Sequence, residues 1–309
     1  MKYSLYFILP ILVSCGQDSE KEEKLSRSSM DDAKELRSAI LDLHYELGEP
    51  RPGEWLDQHK EKGQTFEEYV KVDPVSPSEK RNKLYVQKLG ELDTAQERVI
   101  ELTAEYLGIY YQMEVEILDA VPLDSATIPS GSHRQHLDHH QYHTKYILYD
   151  ILKPNLPDSA AAYIAFTAED LYPDPNWNFV FGQASVKDRV GVWSIHRYGT
   201  PSAGPEAFKE VLFRAMKVAS HETGHMFTMR HCIDYECNMN GSNSLVESDN
   251  KPPYLCPECM AKMKWNLDLN EVQRFNEIDS FYQTHHVNPY YQNYFQIVKE
   301  RLDSTYSIK

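Results

Sequence analysis

The sequence predicts an α/β (α+β) fold in which a mostly parallel sheet is backed by helices. Between Lys83 and His225, segments with strand and helix patterns follow one another in the order β-α-β-α-β-β-β-α, which is typical of parallel strands joined by helices. The chain has 309 residues, of which 41% are hydrophobic and 26% are charged. This length and composition allow one sizeable core or two modest domains of a globular protein.

The first fifteen residues, MKYSLYFILPILVSC, differ from the rest of the chain. A run from Tyr3 to Val13 is apolar but for Ser4, which is too short to span a bilayer but typical of an export signal. The ending LVSC resembles a bacterial lipoprotein signal, and the alternative is an ordinary secretory signal with a chance cysteine. We therefore expect a signal peptide at residues 1–15, lipidation at Cys15 and a protein that is exported and lipid-anchored in the bacterial cell envelope, on the outer membrane or the periplasmic face.

Residues 16–80 are predicted to form a tether and an N-terminal extension. Gly16–Asp32 is polar and charged, so it cannot bury enough surface to offset the entropy lost on ordering. With a lipid chain, such a spacer would hold a folded domain near a membrane without spanning it. Met30–Leu47 has the apolar spacing of a helix, whereas the following segment is rich in glycine and proline and is predicted to be mostly loop.

The regular elements of the predicted sheet begin at residue 83. Alternating apolar residues predict strands at Lys83–Leu92 and Gln112–Val121, and helical spacing predicts a helix between them at Thr94–Tyr111. A second helix is predicted at Gln141–Leu152, and it must end before Pro154 because the residue preceding a proline disfavours the helical conformation.

The remaining strands lead to a long helix. Ala161–Tyr172 is a short apolar run that predicts a buried strand, and Trp177–Ser185 and Arg189–Gly199 are two further strand candidates. A proline and an acidic residue at the first helical positions mark the start of the helix at Pro205. Apolar residues at helical spacing then continue to His225.

The helix carries the motif HETGH. His221 and His225 are four residues apart, so their imidazoles lie on one helical face and can bind one metal ion. Glu222 stands beside the first of them, where a carboxylate can take a proton from water that zinc has acidified. The alternative for these five residues alone is a helix with exposed histidines.

A third histidine extends the motif. His231 lies six residues beyond His225, so the helix must end and the chain must turn back for both side chains to reach one ion. Three nitrogen ligands leave the fourth position open for water, which is the arrangement of a catalytic zinc site. The sequence thus predicts a zinc peptidase with His221, His225 and His231 as ligands and Glu222 as the general base.

Four cysteines follow directly, in two close pairs: Cys232, Cys237, Cys256 and Cys259. Two pairs at this separation predict a closed, structural zinc site with four thiolate ligands. Two disulfides are the alternative for an exported protein, although a bridge within C-x-x-C is strained and typical of redox-active sites. We therefore expect two zinc ions per chain, one catalytic and one structural.

Together these residues resemble the archaemetzincins, a branch of the metzincin zinc peptidases. The likeness rests on HETGHMFTMRHC, the spacing of the later cysteines, CPEC and the strands before the zinc helix, DLYPDPNWNFVFGQAS and GVWSIHRYG. It implies the same ligands and base, with Met239 in the turn beneath the metal. The implied fold is a metzincin-like twisted mixed sheet with a backing helix, an active-site zinc helix and a zinc subdomain built on the four cysteines.

The resemblance also suggests how the chain is divided and where a peptide binds. We expect an archaemetzincin-like peptidase domain at residues 81–290 and a C-terminal helical tail at 291–309. The substrate cleft would run along an edge strand, which we place at GVWSIHRY, where a peptide could add as a further strand.

One residue departs from the family pattern. Thr228 occupies a position where the family has glycine, which reaches positive φ freely, whereas a β-branched residue does so at a cost of about 1–2 kcal/mol. The turn could follow a different backbone path, it could hold the strain between two metal ligands, or it could displace His231 and weaken activity. We favour the first two alternatives because the ligands and the base are all present.

Two further features bear on function. The net charge of −15 disfavours nucleic acid and anionic lipid surfaces as partners, but it does not indicate a substrate. The zinc-peptidase motif and the resemblance imply a peptide or protein substrate, and we expect a monomeric chain. Five histidines, His133, His136, His139, His140 and His143, indicate either another metal-binding loop or, as we favour, a polar loop at the rim of the cleft. The rival function is a non-catalytic, zinc-stabilised envelope binding protein.

Overall fold

The computed structural model describes residues 25–137 and 139–306. The predicted signal at residues 1–15, with Cys15, lies outside the described residues. No helix in the described part of the chain is long and apolar enough to cross a membrane.

Strands and helices occur throughout the described part of the chain. The strands are Lys83–Leu89 (β1), Glu114–Val121 (β2), His133–His136 (β3), His139–His143 (β4), Ala160–Thr167 (β5), Asp170–Tyr172 (β6), Gly182–Ser185 (β7) and Val190–Ser194 (β8). The helices are Met30–Ile40 (α1), Trp55–Gln58 (α2), Phe66–Lys71 (α3), Thr94–Tyr111 (α4), Thr144–Tyr146 (α5), Pro205–Met226 (α6), Leu245–Asp249 (α7), Pro257–Leu267 (α8), Glu271–His285 (α9) and Pro289–Tyr306 (α10).

The main sheet is mixed, which confirms the predicted fold class. Its strands lie in the order β2-β1-β5-β8-β7, and all pairs are parallel except β7 with β8. Every residue of β5 is buried, as expected for an apolar strand at the centre of a sheet that is covered on both faces. Helices α4 and α6 pack against each other and share one hydrophobic core with β1 and β5.

The edge of this sheet differs from the prediction. The segment GVWSIHRY was expected to supply the edge strand, but β8 lies between β5 and β7. On this side of the sheet the edge strand is therefore β7, and the opposite edge is β2. Strand β7 pairs antiparallel with β8 from Gly182 opposite Trp193 to Ser185 opposite Val190. The sequence could not separate the two candidates because each has a strand pattern and only pairing partners decide which lies outside.

The predicted helix at Gln141–Leu152 is wrong in its first part. Gln141 and Tyr142 belong to β4, which pairs with Asp170 and Leu171 of β6 in a smaller sheet of order β3-β4-β6. The helical part comprises α5 and a π-helix at Ile147–Leu152. The strand partner overrides the local helical spacing, which is a weak signal over so few residues.

The described part of the N-terminal extension packs into the same core as the sheet. Ala33, Leu36 and Ile40 of α1 are fully buried, as are Phe66 and Tyr69 of α3. Helix α1 packs on α8 and α10, and α3 packs on α8. From residue 25 onward, the segment predicted as an extension of the domain is thus continuous with it.

The predicted C-terminal tail corresponds to α10. This helix begins at Pro289 and buries Phe295, Val298 and Leu302 in the shared core. The tail is therefore helical over its described length, and it packs beside α9 and α1.

Candidate active site

Three imidazoles converge where α6 ends. His221 and His225 are one turn apart on α6, with their Nε2 atoms 3.0 Å apart. The ring of His231 lies 5.3 Å from that of His221 and 4.9 Å from that of His225. One nitrogen of each residue lies within 4.8 Å of the others, so the structure brings all three predicted ligands to one point.

Each imidazole has an oxygen acceptor at its Nδ1 atom. The partners are the backbone oxygen of Asn238 for His221 at 2.7 Å, that of Met229 for His225 at 2.6 Å, and the Glu61 carboxylate for His231 at 2.9 and 3.0 Å. Because these oxygens only accept hydrogen bonds, Nδ1 carries the proton and the lone pair lies on Nε2. Burial lowers the pKa of His221 and of His231, which favours the neutral rings that zinc binds. The donor set therefore fits a zinc ion.

Glu222 lies beside these ligands and lines the same cleft. Burial raises the pKa of its carboxyl group, which makes the carboxylate a stronger base than an exposed glutamate. Among the described residues that line the cleft it is the only carboxylate, although the whole chain carries a net charge of −15. Glu222 is therefore the carboxylate in the cleft that is able to accept a proton.

The turn after α6 uses the left-handed backbone that glycine normally supplies. Thr228 has φ of 69°, which corresponds to the second alternative, a strained turn. Its N–H donates to the oxygen of His225 at 2.8 Å, and the N–H of Met229 donates to the oxygen of Gly224 at 3.1 Å. This pair of hydrogen bonds is a Schellman motif, and it turns the chain back toward the zinc helix.

The N-terminal segment, meaning the described residues 25–82 before β1, anchors this turn. The hydroxyl of Thr228 accepts a hydrogen bond from the backbone N–H of Val75 at 3.0 Å, a contact that glycine could not make. The hydroxyl of Tyr69 donates to the oxygen of Phe227 at 2.7 Å. Contacts from residues more than 150 positions earlier in the chain thus offset part of the strain at Thr228.

Met239, which the resemblance implies lies in the turn beneath the metal, packs against Gly224 of α6. It is fully buried, and a Cβ atom added to Gly224 would lie 2.8 Å from its sulfur. Its oxygen accepts a hydrogen bond from the N–H of Cys232 at 2.8 Å. The methionine therefore joins the zinc helix to the loop that carries the cysteines.

The four cysteines form a second, closed cluster. Their sulfur atoms lie within 4.8 Å of one another, and all four residues are buried. The Cys232 and Cys256 sulfurs are 3.6 Å apart, which is far longer than a disulfide bond of about 2.05 Å. Four sulfur ligands around one zinc ion, with Zn–S bonds of about 2.3 Å, would lie ~3.8 Å apart, which is close to this separation. Burial raises the pKa of the Cys237 and Cys256 thiols, so thiolates here need a cation, and zinc fits this donor set.

The cleft above the histidines has a volume of about 620 Å³. Trp55 and His59 line it from the N-terminal segment, and Trp177, Phe179 and Phe181 line it from the segment that leads into β7. Aromatic walls beside a free strand edge suit a peptide that binds in extended form.

Two lysines, the buried Lys217 and the half-buried Lys251, bind backbone oxygens in the segment from Asn240 to Lys251, which lines the cleft. The Lys217 Nζ donates to the backbone oxygens of Ser248 and Lys251, and the Lys251 Nζ donates to that of Asn240. Burial lowers the pKa of Lys217 to about 7 and that of Lys251 to about 8. Lys217 thus attaches α7 and the residue Lys251 to α6. Lys251 in turn attaches the end of this segment to Asn240, which follows the second of the four clustered cysteines.

The five histidines belong to the β3–β4 hairpin, and none of their side chains lines the cleft. The hairpin lies beside one wall of it, because Arg134 donates to the backbone oxygens of Trp177 and Asn178, which line the cleft. The expected position at the rim stays a prediction.

His139 lies near Asp170 and His196 in a third cluster of possible metal ligands. The Asp170 carboxylate already accepts hydrogen bonds from Arg197, Gln141 and His139, which accounts for the cluster without a metal.

Sequence reasoning missed Glu61, Trp55 and His59. They lie in a segment rich in glycine and charged residues that predicts only loop. His231, which Glu61 and Trp55 contact, is 170 residues away from Glu61. Trp55 is one of only four tryptophans in the chain, and its presence in a polar segment was a signal that the segment packs against something.

Comparisons with known proteins found relatives of this chain. The sequence profile of Peptidase family M54 matches residues 147–265. Archaemetzincin-2 of Macaca fascicularis and that of Homo sapiens are each 32% identical to the chain over 311 residues, which cover 90% of this chain and 84% of the relative. The crystal structure of archaemetzincin from Methanopyrus kandleri aligns with a TM-score of 0.48 and 29% identity, covering 62% of this chain and 99% of that one.

Proposed function

This chain belongs to Peptidase family M54, the archaemetzincins, and is a zinc metallopeptidase, and on that basis we propose that it hydrolyses peptide bonds with Glu222 as the general base. The observation that carries the proposal is the convergence of three Nε2 atoms beside a carboxylate of raised pKa in an open cleft.

His221, His225 and His231 would hold the catalytic zinc through Nε2. Zinc bound there supplies Lewis-acid chemistry, since it polarises the scissile carbonyl group and acidifies water. A Glu222 carboxylate oxygen takes the proton from the attacking water and then delivers it to the nitrogen of the leaving amine. The raised pKa of Glu222 suits both steps, because the group must accept a proton and release it again.

A second zinc ion would be structural. Cys232, Cys237, Cys256 and Cys259 would bind it as thiolates, and their burial leaves no open position for water or substrate. We therefore propose two zinc ions per chain, with Met239 packed between the two sites.

The substrate would bind as an additional strand on β7. The outer edge of β7 carries backbone groups that no neighbouring described strand uses, and the cleft begins at Gly182 in this strand. An extended peptide can pair with such an edge, while its side chains contact the aromatic walls of the cleft. We propose peptides or proteins as substrates and a monomeric enzyme.

Export and anchoring form a separate proposal that rests on the N-terminal sequence. The chain would be lipidated at Cys15 after removal of the preceding signal, and it would face the periplasm or the outer membrane. Cys15→Ser should move the protein from the membrane fraction to the soluble fraction of fractionated cells. An unchanged distribution would contradict lipidation.

The function is tested with Glu222→Gln on a library of fluorogenic peptides. Hydrolysis should fall by about 10²–10⁴-fold, while the zinc content stays at the wild-type value. Glu206→Gln is the matched control, because Glu206 lies on the same helix and contacts only solvent and Lys209 among the described side chains. Full activity in Glu222→Gln would refute the role of Glu222 as general base. A wild-type protein that binds two zinc ions but cleaves no peptide would favour the rival function, a non-catalytic zinc-stabilised binding protein.

A further inference from the structure

We propose that Glu61 is a positioning residue of the catalytic metal site, which holds His231 in the tautomer and orientation that the metal requires. This inference rests on the proposed function of the three-histidine site. It assigns part of that site to the N-terminal segment, which lies outside the residues matched by the family profile.

The contact is a bifurcated hydrogen bond, in which one N–H of His231 faces both oxygens of Glu61. Both carboxylate oxygens of Glu61 lie close to the Nδ1 atom of His231, at 2.9 and 3.0 Å. The two side chains are 29% and 17% exposed, so water competes only partly for the bond. A carboxylate is a stronger acceptor than the backbone carbonyl groups that orient His221 and His225, and it also makes the opposite ring nitrogen a better metal ligand.

The need for such a partner follows from the backbone. His221 and His225 lie on a helix, whose backbone limits their side-chain rotamers. His231 lies beyond the left-handed turn at Thr228, in a segment without regular secondary structure. The ligand with the least support from its own backbone is thus the one that contacts a charged side chain.

The loop that carries Glu61 is fixed on both sides. On one side, Trp55 packs edge-on against His231 with ring centres 5.0 Å apart and stacks on His59 at 4.0 Å. On the other side, Gly63 has φ of 64°, and a Cβ atom there would lie 2.8 Å from the side chain of Ile233. Only glycine permits this conformation and this close approach together.

Backbone hydrogen bonds complete the attachment. The N–H of Arg230 donates to the side-chain oxygen of Gln64 at 3.2 Å, and the N–H of Trp55 donates to Glu247 at 2.8 Å. Glu61 therefore lies between two anchored points, so its carboxylate meets His231 at little further cost in conformational entropy.

The experiment measures metal affinity, using Glu61→Ala, Glu61→Gln and the control Glu79→Gln. Glu79 is an exposed glutamate that also precedes β1, and its side chain forms no hydrogen bond or ion pair with His231 among the described contacts, so its replacement removes the same charge without removing that contact. Chelator competition should show zinc at the three-histidine site bound about 10–100-fold more weakly in Glu61→Ala. Glu61→Gln should lose less, because the amide oxygen can still accept from Nδ1. The cysteine site should keep its affinity, as should both sites of Glu79→Gln.

A second readout separates positioning from structural support. Cobalt bound at the three-histidine site should show an altered visible absorption spectrum in Glu61→Ala, because the spectrum reports ligand geometry. Unchanged zinc affinity at this site, or an equal loss at both sites with a lower unfolding temperature of the zinc-free protein, would overturn the inference. A wild-type protein that binds zinc but cleaves no peptide would refute the proposed function and leave this inference standing.

Discussion

The two metal clusters are joined through consecutive residues, His231 and Cys232, yet their surroundings are opposite. The histidines are partly exposed on a cleft, and each is oriented by a hydrogen bond from its outer nitrogen. The cysteines are at most 4% exposed. The difference shows that burial, as much as ligand type, separates a site open to water and substrate from a closed one.

The histidine cluster depends on the cysteine cluster, but the cysteine cluster does not depend on the histidine cluster. Asn238, whose oxygen orients His221, lies between Cys237 and Met239 in the loop that the cysteines hold. The closed site thus fixes a partner of the open one, whereas no cysteine contact depends on a histidine side chain in the described hydrogen bonds. Damage to the closed site should therefore spread to the open site, and the reverse should not occur.

The largest expected effect comes from Cys256→Ser. Serine keeps the helix-capping position that Cys256 occupies at the start of α8, so the change removes mainly a metal ligand. Zinc binding contributes about 10–16 kcal/mol in small zinc-dependent domains at neutral pH, so we expect a large fall in unfolding temperature and the loss of both zinc ions. Calorimetry and metal analysis check this. A variant that keeps the catalytic zinc and full stability would break the proposed dependence.

His225→Ala should remove one zinc ion and most of the activity but leave most of the stability intact, in contrast to Cys256→Ser. Alanine suits a helix interior, so we expect zinc content to fall from two ions to one and hydrolysis to fall by more than the ~100-fold typical of losing an outer-sphere partner. The unfolding temperature should fall much less than in Cys256→Ser. Loss of both zinc ions from His225→Ala would contradict the one-way dependence.

Part of this comparison could be predicted from the sequence. The fold class and the elements β1, α4, β2, β5 and α6 follow from local patterns, because strand alternation, helix spacing and the proline at the start of α6 are properties of adjacent residues. The spacing of HETGH and of the cysteine pairs similarly indicated the candidate ligands. Each of these signals lies within a few residues of the chain.

The rest depends on contacts between distant segments. The edge position of β7 depends on which strand pairs with β8, and the β4 strand forms where the local spacing predicts a helix because β6 lies beside it. Glu61 is one glutamate in a charged loop, and nothing near it in sequence indicates a contact with His231. Long-range pairing therefore decides what local patterns leave open.

The smallest expected effect concerns the turn between the clusters, and it depends on how Thr228 offsets its own strain. Thr228→Val keeps the β-branched shape but removes the hydroxyl that accepts from the N–H of Val75. We expect it to lower the free energy of unfolding by about 0.5–1.5 kcal/mol, the net contribution of one hydrogen bond. Urea denaturation of the zinc-loaded protein measures this loss.

Thr228→Gly is the matched variant for this turn. It relieves about 1–2 kcal/mol of left-handed strain, but it loses the same hydrogen bond of about 0.5–1.5 kcal/mol and adds about 0.4–1 kcal/mol of unfolded-state entropy. The terms nearly cancel, so its stability should stay within about 1 kcal/mol of the wild type. A valine variant as stable as the wild type would mean that the Val75 contact contributes nothing and that the turn tolerates threonine through its metal ligands alone.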